Sequence, residues 1–146
     1  MIWMVDGILA GLIAGVIMGS FSQLGYWLGI LKSHLIVIDG KFALSKIKLG
    51  TTVQAVYASG ILIHLITSIV FGIIYVLIAE LVGFELRSIW PIATYVLVLW
   101  LTMLFTALPI AGQGFLGNKI SRYAWLEQLV LHIIFGFSFW WGLGIV

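Results

Sequence analysis

Hydrophobic side chains run along this sequence in four long blocks, and the few charged residues mark where each block stops. From Gly7 to Leu31 there is no charged side chain, and Asp6 and Lys32 border the stretch. A second block extends from Leu49 to Ala79, with His64 inside it. The third goes from Ser88 to Asn118, with Pro91 near its start and Pro109 near its end, and the fourth from about Ala124 to Val146, holding Glu127 and His132. Each block reaches the ~20 apolar residues that a helix needs to cross ~30 Å of hydrocarbon. Lipid offers the backbone no hydrogen-bond partner, so each crossing is expected to be a helix, and none of the blocks alternates with the period of a strand. The pattern predicts an all-α polytopic membrane protein: a four-transmembrane-helix bundle forming one membrane domain over 1–146. Its helices fall at about 5–31, 51–79, 91–111 and 124–145, joined by loops 32–50 and 112–123.

Composition agrees. Of 146 residues, 63% are hydrophobic and 8% charged, against the roughly 25% charged residues of an ordinary soluble domain. There is no cysteine, which removes disulfides, thiolate metal sites and cysteine nucleophiles. A net charge of +2 gives no reason to expect a nucleic-acid partner. The first block is read as a span rather than a signal peptide, because it is long and has no basic segment before it.

Charge also predicts orientation. Lys32, Lys41, Lys46 and Lys48 follow the first block, and Lys119 and Arg122 follow the third, whereas Arg87 stands alone beside Glu80 and Glu85. Basic residues collect in cytoplasmic loops, so both basic loops are placed in the cytoplasm, giving an N-out, C-out protein of the cell membrane. Trp3, Trp90, Trp140 and Trp141 then form an outer aromatic belt, and Tyr26, Trp27, Tyr123 and Trp125 an inner one.

Small residues supply the packing signals. Gly7, Gly11, Gly15 and Gly19 recur every four residues, widened by Ala10 and Ala14. A stripe of this kind lets a second backbone come close, which is how helices associate in lipid. The neighbour is either in the same bundle or in another copy of the chain, bound by self-association through this first helix. The second block has a ladder of Gly60, His64, Ser68 and Gly72, and the fourth has Gln128, His132 and Gly136, each on one helical face. Both histidines are followed by Phe-Gly and then aromatics, which suggests a duplicated helical hairpin.

An imidazole inside lipid is costly unless paired and marks a candidate site. His64 and His132 both fall in the middle third of the bilayer, roughly 6 Å apart in depth at 1.5 Å per residue. One reading pairs each ring with a neighbouring helix through Thr67, Thr102, Thr106 or Gln128. A second makes them the axial ligands of a haem b, with small residues leaving room for the macrocycle. A proton-relay or quinone site is the third.

The loops carry less. Asp39-Gly40 between two apolar runs predicts a hairpin turn, or the segment forms an amphipathic surface against anionic lipid. Glu127 is expected to pair with Lys119 and Arg122 or to favour the N-terminus of its own helix, and His34 is an interfacial residue. Gly112, Gly114 and Gly117 spell G-x-G-x-x-G. Without a preceding strand this is not a dinucleotide site but a turn that dips into the interface with Phe115 and Leu116.

The first-helix glycine ladder, His64 with Ser68-x-x-x-Gly72-x-x-Tyr75, the Pro109–Gly117 segment and His132-x-x-x-Gly136 resemble small four-helix integral membrane proteins of bacteria and archaea. That family has no settled activity, so the resemblance implies architecture alone. Ser68 stands where its pattern has a glycine, which implies a looser contact there.

With no catalytic constellation in the chain, the function expected is that of a small accessory or anchor subunit in a larger membrane assembly. Its partners would be the bilayer and other membrane subunits. The alternative is a haem b or quinone-site subunit built on His64 and His132. An oligomeric channel or transporter is disfavoured because no charged ring lies at mid-depth.

Overall fold

The long apolar blocks become helices whose ends are set by short-range signals. The computed structural model describes residues 2–47 and 52–146. Lys48 and the expected start of the second span at residue 51 lie outside the described residues. The elements are α1 (Ile2–Trp27), α2 (Leu35–Ile47), α3 (Val53–Val82), α4 (Ile89–Thr102), α5 (Leu108–Ile110) and α6 (Ala124–Gly142). No strand occurs among the described residues. Three segments are long and apolar enough to cross a membrane: Trp3–Trp27, Val53–Val82 and Ile89–Ile110.

α1 stops short of the expected Leu31 because Gly29 turns left-handed at φ 71°. The Gly29 N–H then donates to the Tyr26 carbonyl at 3.0 Å and the Ile30 N–H to that of Gly25 at 2.9 Å, which satisfies carbonyls the helix end leaves free. α3 opens on Thr52, whose hydroxyl accepts from the Ala55 N–H at 3.3 Å, and closes on Gly83 at φ 81°. α4 and α5 form one rod through a π-helical turn, Met103–Ala107. This turn lies immediately before Pro109, whose ring cannot approach the carbonyl four residues back. The widened turn relieves that clash, and the Leu108 N–H reaches the Met103 carbonyl instead.

α1 is the centre of the bundle, flanked by α3 and α6, both antiparallel to it. Its glycine ladder meets the ladder of α3 rung by rung. A Cβ on Gly7 would lie 2.8 Å from the Gly72 carbonyl oxygen, one on Gly11 2.5 Å from that of Ser68, and one on Gly19 3.2 Å from the His64 ring. The stripe therefore finds its neighbour inside the chain, and all four glycines are buried. Ser68 does not loosen this seam: its side chain lies where a Cβ on Gly15 would meet it at 2.6 Å, and its hydroxyl donates to the His64 carbonyl at 2.8 Å. Gly60 faces α2, against the Ile36 carbonyl, while Gly136 admits Val96 of α4 and Gly142 admits Ala10 of α1.

The hairpin expected at Asp39-Gly40 is not formed; both residues lie inside α2. The preference of Asp-Gly for turns is overridden by packing. Gly40 lets the Val56 carbonyl of α3 come into contact, and Leu35, Ile36 and Leu44 bury the same side of the helix. At one end of the bundle Tyr75, Tyr95 and Phe139 form an aromatic cluster, and Trp140 donates its indole N–H to the Arg87 carbonyl at 3.1 Å. The opposite end gathers the α1–α2 turn, α2 and the 111–123 segment.

Candidate functional site

α3 and the α4–α5 rod are joined near their connected ends and part below. The join is made by Tyr95, whose hydroxyl donates to the Phe71 carbonyl at 2.7 Å, while Tyr75 donates its hydroxyl to the Leu86 carbonyl of the connecting turn at 3.0 Å. Beyond this apex lies a cavity of about 360 Å³ between α2 and α3 on one side and the rod on the other, floored by Met18, His132 and Phe135. Its polar lining is Asp39, His64, Thr67, Thr102, Thr106 and His132, with Ser68 behind them. The three threonines are exposed along the opening, which faces sideways between two apolar helices. The π turn contributes Met103, Thr106 and Ala107 to this wall, and such turns recur at functional sites.

The hydrogen bonds fix which imidazole nitrogens carry protons. His64 Nε2 is 2.9 Å from the Gly15 carbonyl oxygen. A carbonyl only accepts, so Nε2 is the donor and the neutral ring has its lone pair on Nδ1. That atom faces the Asp39 carboxyl across 3.7 Å, beyond direct hydrogen-bond reach. Asp39 is only 23% exposed, and burial pushes its carboxyl up to about 7. His132 is the mirror case. Its Nδ1 donates to the Gln128 carbonyl at 2.7 Å, so in the neutral ring Nε2 holds the lone pair.

Thus both rings bond to backbone carbonyls rather than to Thr67, Thr102, Thr106 or the Gln128 amide. The Gln128 amide is fully buried on α6, and neither it nor the buried Ser22 hydroxyl on α1 has a partner among the described residues. A pair of haem ligands must each offer a bare nitrogen to one iron; His64 would have to leave the Gly15 carbonyl, or turn from Asp39, to do so. No group of three or more potential metal ligands occurs among the described residues.

Two further polar groups hold the frame of the site. Glu127 does not form an ion pair with Lys119 or Arg122. Its carboxylate accepts from the Lys32 N–H at 3.0 Å, the Ser33 N–H at 2.8 Å and the Ser33 hydroxyl at 2.6 Å. It thereby ties α6 to the turn that launches α2, and charge-assisted bonds of this kind are the strong ones. His34 caps α2: its Nδ1 accepts from the Val37 N–H at 3.2 Å, and its ring lies edge-on to Tyr26 and Tyr57. Burial first, then the charge of Lys41, holds its pKa below the ordinary imidazole range. The G-x-G-x-x-G glycines form a left-handed turn after α5, with no strand before it and Phe115 exposed at its tip.

Sequence reasoning found the two histidines but not Asp39 or the Glu127 clamp. For Asp39 a signal was present: a lone acid within LIVIDGKFAL, where apolar residues at helical spacing also fit an amphipathic helix. Glu127 reaches residues far away in the sequence, and no local pattern announces that. No family model matches the chain, and neither does any curated protein or solved structure.

Proposed function

We propose that this chain is a small four-crossing subunit of the cell membrane, without catalysis of its own, that binds an amphipathic small molecule in the cleft between α3 and the α4–α5 rod. The observation that carries this reading is the cleft itself: polar groups at its floor, a mouth between two helices with apolar outer faces, and a volume of about 360 Å³, within the range of small-molecule sites.

α6 serves as the fourth crossing. Its 19 residues make a helix of about 28 Å at 1.5 Å per residue; Glu127, Gln128 and His132 lower its hydropathy but are covered by protein or paired. Lys32, Lys41, Lys46, Lys119 and Arg122 gather at one end of the bundle and Arg87 at the other, which supports basic loops in the cytoplasm with both termini outside.

The test is retention of ligand. Protein isolated in native-lipid nanodiscs is expected to hold one amphiphile above the bulk-lipid background, identified by mass spectrometry. A Thr106→Trp variant, filling the mouth from an exposed position, should lose it without a change in melting temperature. Equal lipid profiles for the two proteins would remove the proposal.

A second reading, an accessory subunit that docks onto a larger assembly, is favoured by the apolar groove of about 410 Å³ between α4 and α6, walled by Leu97, Ile133 and Phe137. A fixed-stoichiometry partner on a native gel supports it. A reduced-minus-oxidised absorption spectrum tests the haem alternative, for which α and Soret bands are required.

A further inference from the structure

The cleft has a polarity of its own beyond being polar, and it selects a head group. In the neutral His132 ring, whose Nδ1 donates to the Gln128 carbonyl, Nε2 carries a lone pair and no proton. His64 Nδ1 and the Asp39 carboxyl lie 3.7 Å apart, and together they keep free acceptor positions whether or not Asp39 is protonated. Thr67, Thr102 and Thr106 donate or accept as needed. No lysine or arginine lines the cleft among the described residues. The site is therefore rich in acceptors and lacks any cation to receive a phosphate or carboxylate. A buried anion without a partner is strongly disfavoured, and an ionised Asp39 disfavours it further.

Resting on the binding role proposed above, we infer that the cleft takes a neutral, hydroxyl-bearing head group on an apolar tail, donating a hydrogen bond to His132 Nε2 and a second to the Asp39–His64 pair. The tail leaves between α3 and the rod into lipid, where the apolar residues around the threonines cover it. Two sources supply this chemistry: a dihydroxybenzene with an isoprenoid tail, the reduced form of a quinone, and a mono- or diacylglycerol. Both have a flexible apolar tail and hydroxyls that need acceptors. In the oxidised quinone the hydroxyls are carbonyls, which offer no donor to a bare imidazole nitrogen.

A site built to hydrogen-bond a hydroxyl rejects an analogue lacking it, because its own buried group is then left unpaired. Equilibrium binding to wild-type protein in nanodiscs reads this directly, with short-tailed probes: a hydroquinone, its quinone, its dimethyl ether, a monoacylglycerol, a fatty acid and an alkylamine of equal chain length. The hydroquinone or the monoacylglycerol is expected to bind at least about tenfold more tightly than the ether, the quinone and the fatty acid, and whichever of the two binds more tightly identifies the source. His132→Leu should abolish the preference while leaving residual tail binding; if that variant does not fold, the wild-type probe series stands without it. Tightest binding by the alkylamine overturns the inference in favour of a cation held by Asp39. Equal binding of all probes overturns it too, while the cleft remains a binding site. Binding of none, with retention of no native amphiphile, removes the underlying role as well.

Discussion

α3 has two faces that meet their neighbours in opposite ways. Along Gly72, Ser68 and His64 it lies against α1 so closely that backbone carbonyls occupy the space of missing side chains. Along Ile63, Thr67 and Phe71, one residue further round the helix, it stands off from the α4–α5 rod and leaves a cleft. In lipid, apolar burial gives helices no reason to associate, so close van der Waals contact and hydrogen bonds decide which pairs hold. The α1–α3 seam has both, from facing glycines and the His64–Gly15 bond. The α3–α4 side has one clasp, Tyr95 on the Phe71 carbonyl, and then bulky or polar residues that keep the helices apart. Closeness of this kind gives stability, and separation leaves room for a ligand.

The sharpest way to break the contrast is a side chain in the seam. Gly11→Leu should cost the most of any change considered, about 3 kcal/mol or more, because its Cβ alone would lie 2.5 Å from the Ser68 carbonyl oxygen and backbone cannot yield as a side chain does. Thr102→Leu on the cleft side should shift stability by no more than about 0.5 kcal/mol. Reversible unfolding in detergent compares the two, and equal losses would refute the distinction.

Glu127→Gln comes next. It removes the charge from three bonds that hold Lys32 and Ser33, with an expected loss of about 1–3 kcal/mol and faster amide exchange at Ser33. Lys119→Ala and Arg122→Ala should change neither quantity; a loss there as large as that of Glu127→Gln would restore the expected ion pair.

Smaller still is Tyr95→Phe, which deletes the clasp for about 1 kcal/mol. It is expected to widen the distance between spin labels on α3 and α4 while leaving α1–α3 distances unchanged.

Asp39 sharpens the comparison through pH. Its folded-state pKa of about 7 lies above the 3.8 of an ordinary aspartate, so the folded chain holds a proton that the unfolded chain has released. Stability from this group is complete below about pH 4, falls as pH rises to about 7, and is constant beyond. The melting temperature of Asp39→Asn relative to wild type should therefore rise from pH 5 to pH 8. A difference independent of pH would place the carboxyl in water rather than against α3.

Some of this was legible in advance and some was not. The small-residue ladders and the two histidines could be picked out of the sequence, because both signals lie within a few turns of one helix. The contact expected to be loosened by Ser68 is tight, since a hydroxyl that bonds to its own helix at His64 occupies little more room than a methyl group. The partners of the histidines, expected among Thr67, Thr102, Thr106 and Gln128, are the backbone carbonyls of Gly15 and Gln128. A ring beside a glycine reaches the backbone, and only the position of α1 makes the Gly15 carbonyl available.

By itself the sequence determined where three long apolar helices run and which faces carry the small residues. These are local effects of backbone conformation, side-chain volume and solvation in lipid. Tertiary structure alone decided that α1 would be central, that an Asp-Gly pair would be drawn into a helix, that Glu127 would hold a turn distant in the sequence, and that α3 and the rod would part around a polar cleft. Each of those depends on which of several compatible faces meet, and that choice is made by the sum of many weak contacts across the bundle, none of which is written in any single stretch of chain.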